Sequence, residues 1–174
     1  MIKGKCWVAD NYVLAYDIIV QEYWTSPIDK EENSKWVMAG VKPEFNKENG
    51  FKDNEYTFIV AGHNFAGGGK SIEHVIAGLM GAGIQSVFAT SFARLQFRNA
   101  INYGLPFVTC QDIDKDCSTG DILEYNPDNG DIKNITTGKT FSTLPAAPFV
   151  AEVGAAGGLM NFVRDKIAKG EAIG

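Results

Sequence analysis

The stretch Tyr56-Thr57-Phe58-Ile59-Val60-Ala61-Gly62-His63-Asn64-Phe65-Ala66-Gly67-Gly68-Gly69-Lys70-Ser71-Ile72-Glu73-His74 changes its character twice. It begins as a short apolar run of β-branched and aromatic residues, the pattern of a buried strand. Three consecutive glycines follow, Gly67, Gly68 and Gly69, which tolerate positive φ and let a ligand approach the backbone closely. Beyond Ser71 the apolar spacing becomes helical, with Val75, Leu79 and Ala82 on one face and Ile76 and Met80 beside it. Strand, glycine loop and helix start together aim free backbone N–H groups and the positive end of a helix at one point. Such a point suits an anion or a polarised oxygen. The sequence places its candidate site here. A phosphate-binding P-loop is a poor reading. That motif needs a glycine five residues ahead of Gly69-Lys70-Ser71, and Asn64 stands there.

Upstream, residues 5–9 read as a first strand, closed by the turn pair Asp10-Asn11, and residues 16–23 as a second apolar segment. Residues 25–51 are polar and irregular, with Pro27, Gly40, Pro43 and Gly50 and room for one short helix at 34–39. A connection of this length reads either as a lid or binding loop, or as a surface excursion anchored by Trp36 and Phe45. Downstream, residues 85–89 form a strand. Thr90-Ser91 and Gly104 then frame a helix, the hydroxyls at its start and the glycine at its end. Residues 105–108 are extended again. Two β-α units in series predict a parallel sheet with right-handed crossovers. Residues 121–125 and 131–135 flank a hairpin turn, and residues 140–144 add a strand. Residues 149–168 read as helix broken at Gly157-Gly158.

The chain has 174 residues, enough for one domain with its own core. Its net charge of −5 and the lack of a basic cluster argue against nucleic-acid binding. The apolar runs are too short to span a bilayer, and no apolar region follows the first lysines as a signal peptide requires. Cys6, Cys110 and Cys117 have no metal-type spacing. They read as reduced thiols of a cytoplasmic protein that carries no iron–sulfur cluster of its own. Two histidines make a dedicated zinc site unexpected.

Several blocks together resemble the small, swivelling domain of the aconitase superfamily, and above all the free-standing small subunits of 3-isopropylmalate dehydratase. They are Lys3-Gly4-Lys5-Cys6-Trp7-Val8 with Asp10-Asn11, Ile18-Ile19, Val60-Ala61-Gly62 with Asn64-Phe65, and Glu73-His74. The strongest is Ser91-Phe92-Ala93-Arg94 followed by Arg98-Asn99-Ala100-Ile101-Asn102 and Gly104-Leu105-Pro106. The resemblance implies an α/β fold: a single three-layer β/β/α swivelling domain over residues 1–174, with the insertion or lid at 25–51. It also implies a large subunit holding a 4Fe-4S cluster. The small subunit would close over it, supplying a base serine and carboxylate-clamping arginines for loss and re-addition of water.

The departures from that pattern fall on its chemistry. Where the family loop reads Gly-x-Gly-Ser-Ser-Arg-Glu-His, this chain has Lys70 for the base serine and Ile72 for the arginine, with one extra residue near Ala66. Ala15-Tyr16 replaces Thr-Asp, and Val20-Gln21-Glu22 replaces Pro-x-Arg. Arginine grips a carboxylate with a fixed bidentate fork, whereas isoleucine offers no donor and Glu22 would repel it. Each lost charge-assisted contact is worth about 1.5–3 kcal/mol.

These losses lead to the expectation of a repurposed stand-alone enzyme. It would be cofactor-free, part of specialised metabolism, and act on a largely apolar small molecule with a carbonyl. Isomerase, lyase and cyclase chemistry all fit, cycloaddition included. Lys70, His63 and Ser71 are the catalytic candidates. Lys70 would have its pKa lowered by burial and by the helix end, and Ser71 would cap the helix or serve as base. Asn64, Gly67, Gly68, Gly69, Tyr16, Glu22 and Ile72 are the substrate-binding candidates, with no metal. His74 reads as structural, and Arg94 and Arg98 as scaffold or interface. The alternatives are a small subunit paired with a 4Fe-4S large subunit acting on an unusual hydroxy acid, and a non-catalytic binding module. The partners left open are a homodimer and that large subunit.

Overall fold

The computed structural model describes residues 1–171, so the last three positions of the 1–174 domain span lie outside the described residues. Seven strands form one curled sheet: β1 (Ile2–Val8), β2 (Phe58–Ala61), β3 (Ser86–Ala89), β4 (Phe107–Thr109), β5 (Ile122–Asn126), β6 (Asp131–Asn134) and β7 (Thr140–Ser142). Their order is β4-β3-β2-β1-β5-β6-β7. β1 is divided between two neighbours. Its second half, Cys6 to Val8, pairs parallel with Phe58 to Val60, and its first half, Ile2 to Lys5, runs antiparallel to β5. β2, β3 and β4 continue the parallel part, and β5, β6 and β7 the antiparallel part.

All four residues of β2 and all four of β3 are buried, so both faces of the parallel strands are covered. Successive side chains go to opposite cores. Trp7, Ile59, Ala61, Val87 and Ala89 point toward the helices. Cys6, Phe58, Val60 and Phe88 point the other way, against Leu123, Tyr125 and Ile132 of the antiparallel strands. Two cores on either side of one sheet give the three-layer β/β/α arrangement. Among the described residues six α-helices complete the fold: α1 (Ala15–Ile18), α2 (Lys30–Ser34), α3 (Glu73–Gly81), α4 (Arg94–Tyr103), α5 (Pro148–Ala155) and α6 (Leu159–Lys169). α3 and α4 are the crossovers from β2 to β3 and from β3 to β4. Among the described residues no helix is long and apolar enough to cross a membrane.

Two helix starts differ from the sequence reading. The helix expected at 34–39 lies at α2 instead, because Asp29 caps it: its Oδ1 accepts from the Glu31 and Glu32 N–H groups at 2.9 and 3.0 Å. α4 starts behind Ala93, without a side-chain cap. Gly104 ends it in the left-handed region at φ 76°, as its position suggested.

Residues 25–51 pack down onto the outer face of α3. Val37, Met38, Phe45 and Phe51 are buried in the helix-side core. Phe45 and Phe51 meet Trp7 edge-on at 5.6 and 5.4 Å, and Trp36 stacks flat on Tyr23 at 4.1 Å. This approach is close because α3 presents glycines to it. A Cβ on Gly81 would stand 2.3 Å from the Lys30 carbonyl oxygen, and one on Gly78 2.8 Å from Val37 Cγ2. Alanine ordinarily improves a helical glycine position by about 0.5–1 kcal/mol. Here Gly81→Ala should destabilise by about 1–3 kcal/mol, the range for overpacking, as read by denaturant unfolding.

Candidate functional site

The loop between β2 and α3 lies at the carboxyl ends of the parallel strands, where ligands bind in open α/β sheets. Its first half is tied to the segment that leaves β1. The Asn11 carboxamide oxygen accepts from the His63 N–H at 2.6 Å. Gly62 is glycine because a Cβ there would stand 1.9 Å from that oxygen. The Gly67 N–H donates to Val13 O, and Gly67 O accepts from the Ala15 N–H. The Asn64 N–H donates to Ser91 Oγ at 2.9 Å, and the Phe65 N–H to Ser91 O at 3.0 Å. Asn64 and Ala66 both adopt left-handed backbone, φ 52° and 58°, which is a strained choice for alanine.

The second half of the loop is open. The N–H groups of Gly68, Gly69, Lys70 and Ser71 donate to no acceptor among the described residues. Gly68 and Gly69 take φ 104° and 74°. Successive N–H groups in such a turn form a concavity suited to an anion. The Lys70 ammonium stands beside it, 5.5 Å from the centre of the Tyr16 ring. Tyr16 is itself the end of an aromatic column. It stacks on Trp24 at 6.2 Å, and Trp24 stacks on His74 at 5.1 Å. His74 Nε2–H donates to the Thr25 carbonyl at 2.9 Å, so His74 has the structural role expected of it.

The structure therefore divides the candidate residues. It brings Lys70, Tyr16, Gly68 and Gly69 together. Gly67 is buried and both its backbone groups are engaged, so its amide is not free. Ile72 is only 3% exposed and belongs to the helix-side core, which removes it from the surface of the loop. Ser71 does not cap α3. Ile72 holds the cap position, and the Ser71 hydroxyl donates to Asn99 Oδ1 at 3.0 Å instead. Lys70 is exposed rather than desolvated, and the Tyr16 hydroxyl beside it pushes its pKa up, opposite to the lowering expected from the sequence. His63 is exposed and stacks on Tyr12 at 6.4 Å, and Glu22 lies exposed on the turn before Trp24. Sequence reading missed Asn11, Tyr12 and Asn99 as partners of this loop. Asn11 and Asn99 stand in the blocks that carry the family resemblance, but nothing local joins them to the loop: the Asn99 contact spans 28 residues and that of Asn11 spans 52.

The three thiols lie apart from this loop. They are buried in the core between the two parts of the sheet, where burial pushes Cys6 up to about 12 and Cys110 and Cys117 up to about 11. All three are free thiols held in apolar packing. Among the described residues no group of three or more His, Cys, Asp or Glu is placed to hold a metal.

Residues 20–112 match the family model described as the aconitase C-terminal domain. The isopropylmalate/citramalate isomerase small subunit of Methanocaldococcus jannaschii is 42% identical over 173 residues, 98% of each chain. The 3-isopropylmalate dehydratase small subunit of a Hydrogenobaculum species is 38% identical over 168 residues, 97% of this chain and 99% of its own. A crystal structure of 3-isopropylmalate dehydratase from Methanocaldococcus jannaschii superposes with a TM-score of 0.85 at 33% identity, covering 97% of this chain and 96% of that one. These findings overturn the expectation of a stand-alone isomerase, lyase or cyclase, and cycloaddition and specialised metabolism with it. Relatives matched over nearly their whole length are small subunits. The loop substitutions, which prompted that expectation, sit in a scaffold otherwise matched from end to end.

The raised thiol pKa values have a direct consequence. At about pH 8 the native protein should leave all three cysteines unmodified by a thiol-reactive disulfide reagent, whereas the denatured chain should titrate all three. Rapid reaction of any thiol in the native protein would contradict their placement.

Proposed function

The chain belongs to the aconitase C-terminal domain family, and from that premise we propose that it is the small subunit of a hydro-lyase of the 3-isopropylmalate dehydratase type. Its partner is a large subunit that carries the 4Fe-4S cluster, and the substrate is a hydroxy acid with at least one further carboxylate. The observation that carries this reading is the end-to-end match to small subunits, joined to a loop built for an anion. The cluster supplies Lewis-acid chemistry at the substrate hydroxyl when the partner brings it.

This chain's part is to bind and orient. The unpaired amides of Gly68 to Ser71 and the neighbouring Lys70 ammonium are the groups that would hold one carboxylate. Lys70 stands in for the arginine that Ile72 cannot provide. A hydrogen bond to a charged group is worth about 1.5–3 kcal/mol, enough to hold one end of the substrate. Exposed to solvent, Lys70 is an ammonium at neutral pH, which suits holding a carboxylate and not abstracting a proton. Tyr16 fixes the ammonium through its ring, and the Trp24–His74 stack fixes Tyr16. A lysine is a point charge without a bidentate fork, so it tolerates a wider range of carboxylate placements than arginine would.

The test is turnover. The chain, mixed without oxygen with the large subunit encoded in the same genome, should convert 2-isopropylmalate, citramalate or a related hydroxy diacid to the unsaturated acid, and neither subunit should do so alone. Turnover by the isolated chain, or an inactive pair on every hydroxy diacid, would overturn the reading. In the active pair Lys70→Met should raise KM about tenfold or more, while Lys70→Arg should retain most of the affinity. Since the cation persists below its raised pKa, KM should not rise between about pH 7 and 9 through loss of this charge.

A further inference from the structure

The chain has three arginines, Arg94, Arg98 and Arg164, in a protein of net charge −5. Every ion pair formed among the described residues uses a lysine, and neither Arg94 nor Arg98 faces a carboxylate. Both are exposed, one turn apart on α4. Like charges at that spacing repel, and a cation at the positive end of a helix is unfavourable. No acidic residue in the first turn of α4 offsets them. An anion supplied from outside would.

Arg94 and Arg98 line a cleft of about 360 Å³ together with Ser91, Phe92, Phe97 and Thr109. Phe92 stacks on Phe107 at 4.7 Å and leans on Phe97 at 5.9 Å, so the floor is a fixed aromatic wall. Leu95, 40% exposed, lies between the arginines in sequence. The cleft adjoins the candidate site, since Ser91 accepts the Asn64 N–H and Phe92 bridges to Phe65. An aromatic centre with an arginine rim is the anatomy of a protein interface.

We propose that this cleft at the head of α4 is a docking point for the large subunit, receiving an apolar side chain flanked by carboxylates on a surface segment of that partner. The inference rests on the small-subunit reading. It adds the face that is buried and the chemistry of what buries it. Charge complementarity selects an acidic segment, and continuity with the Gly68–Ser71 loop lets the same contact bring that loop to the partner's site. Rim charges of this kind act mainly on the association rate and make binding sensitive to salt.

The experiment measures association of the purified large subunit with this chain at low and high salt. The wild type is compared with Arg94→Glu/Arg98→Glu, Arg94→Gln/Arg98→Gln and, as a control on a distant strand, Lys133→Glu. The reversed pair should bind about tenfold or more weakly, mostly through a slower association rate. Its dependence on salt should be shallower than that of the wild type. The Gln pair should lie between them, the control should match wild type, and each variant should keep the wild-type melting curve. Should the reversed pair misfold, the Gln pair carries the comparison. Wild-type affinity and salt dependence in a folded variant would overturn the docking proposal alone. So would loss of succinate binding by the isolated chain with complex formation intact, which would mark a small-anion site. A wild-type chain that binds no large subunit would overturn the small-subunit reading itself.

Discussion

Strand β1 belongs to two sheet directions at once, and the candidate site depends on that division. Its second half joins the parallel strands that carry the helices, and its first half joins the antiparallel strands that close the other core. Cys6 and Trp7 are adjacent in sequence yet lie in different cores. The chain leaving β1 then runs beside the loop leaving β2. Asn11, Val13 and Ala15 take up the backbone groups of His63 and Gly67. That pairing consumes the first half of the loop and stops there. The free amides begin at Gly68, past the last bridge of the loop to the segment leaving β1, which turns into α1 at Ala15.

Much of this was legible in the sequence because local signals and the fold agree. The apolar run of β2, the period of α3, Gly104 at the end of α4 and the hairpin between β5 and β6 each obey a rule that acts over a few residues. Most of the differences come from partners distant in sequence. Ser71 and Ser91 were given capping roles by their position, but each hydroxyl is taken by a distant partner: Asn99 for Ser71, and the Asn64 N–H for Ser91. Asp29, reading locally, captured α2 earlier than expected. Ile72 looked like a lost ligand and is a core side chain, because the chain turns into α3 at that residue. The exposure of Lys70 is likewise invisible to spacing.

The substitutions also show how far a motif argument carries. Loss of the base serine and the arginine within an intact scaffold pointed to a new activity. Full-length similarity to small subunits overturns that expectation of a stand-alone enzyme. The physical difference is between a fork and a point charge. Lys70 on Tyr16 offers one compact positive charge beside free amides, where an arginine would impose a plane. The thiols, neutral in a packed core, belong to the architecture and not to the chemistry.

The central claim is that this chain completes a site it does not itself contain. The most direct measurement is the native mass and iron content of the tagged chain isolated, without oxygen, from the cells that make it. The account predicts a heteromer with a larger chain that carries iron and sulfide. A colourless monomer or homodimer with no larger partner would contradict it.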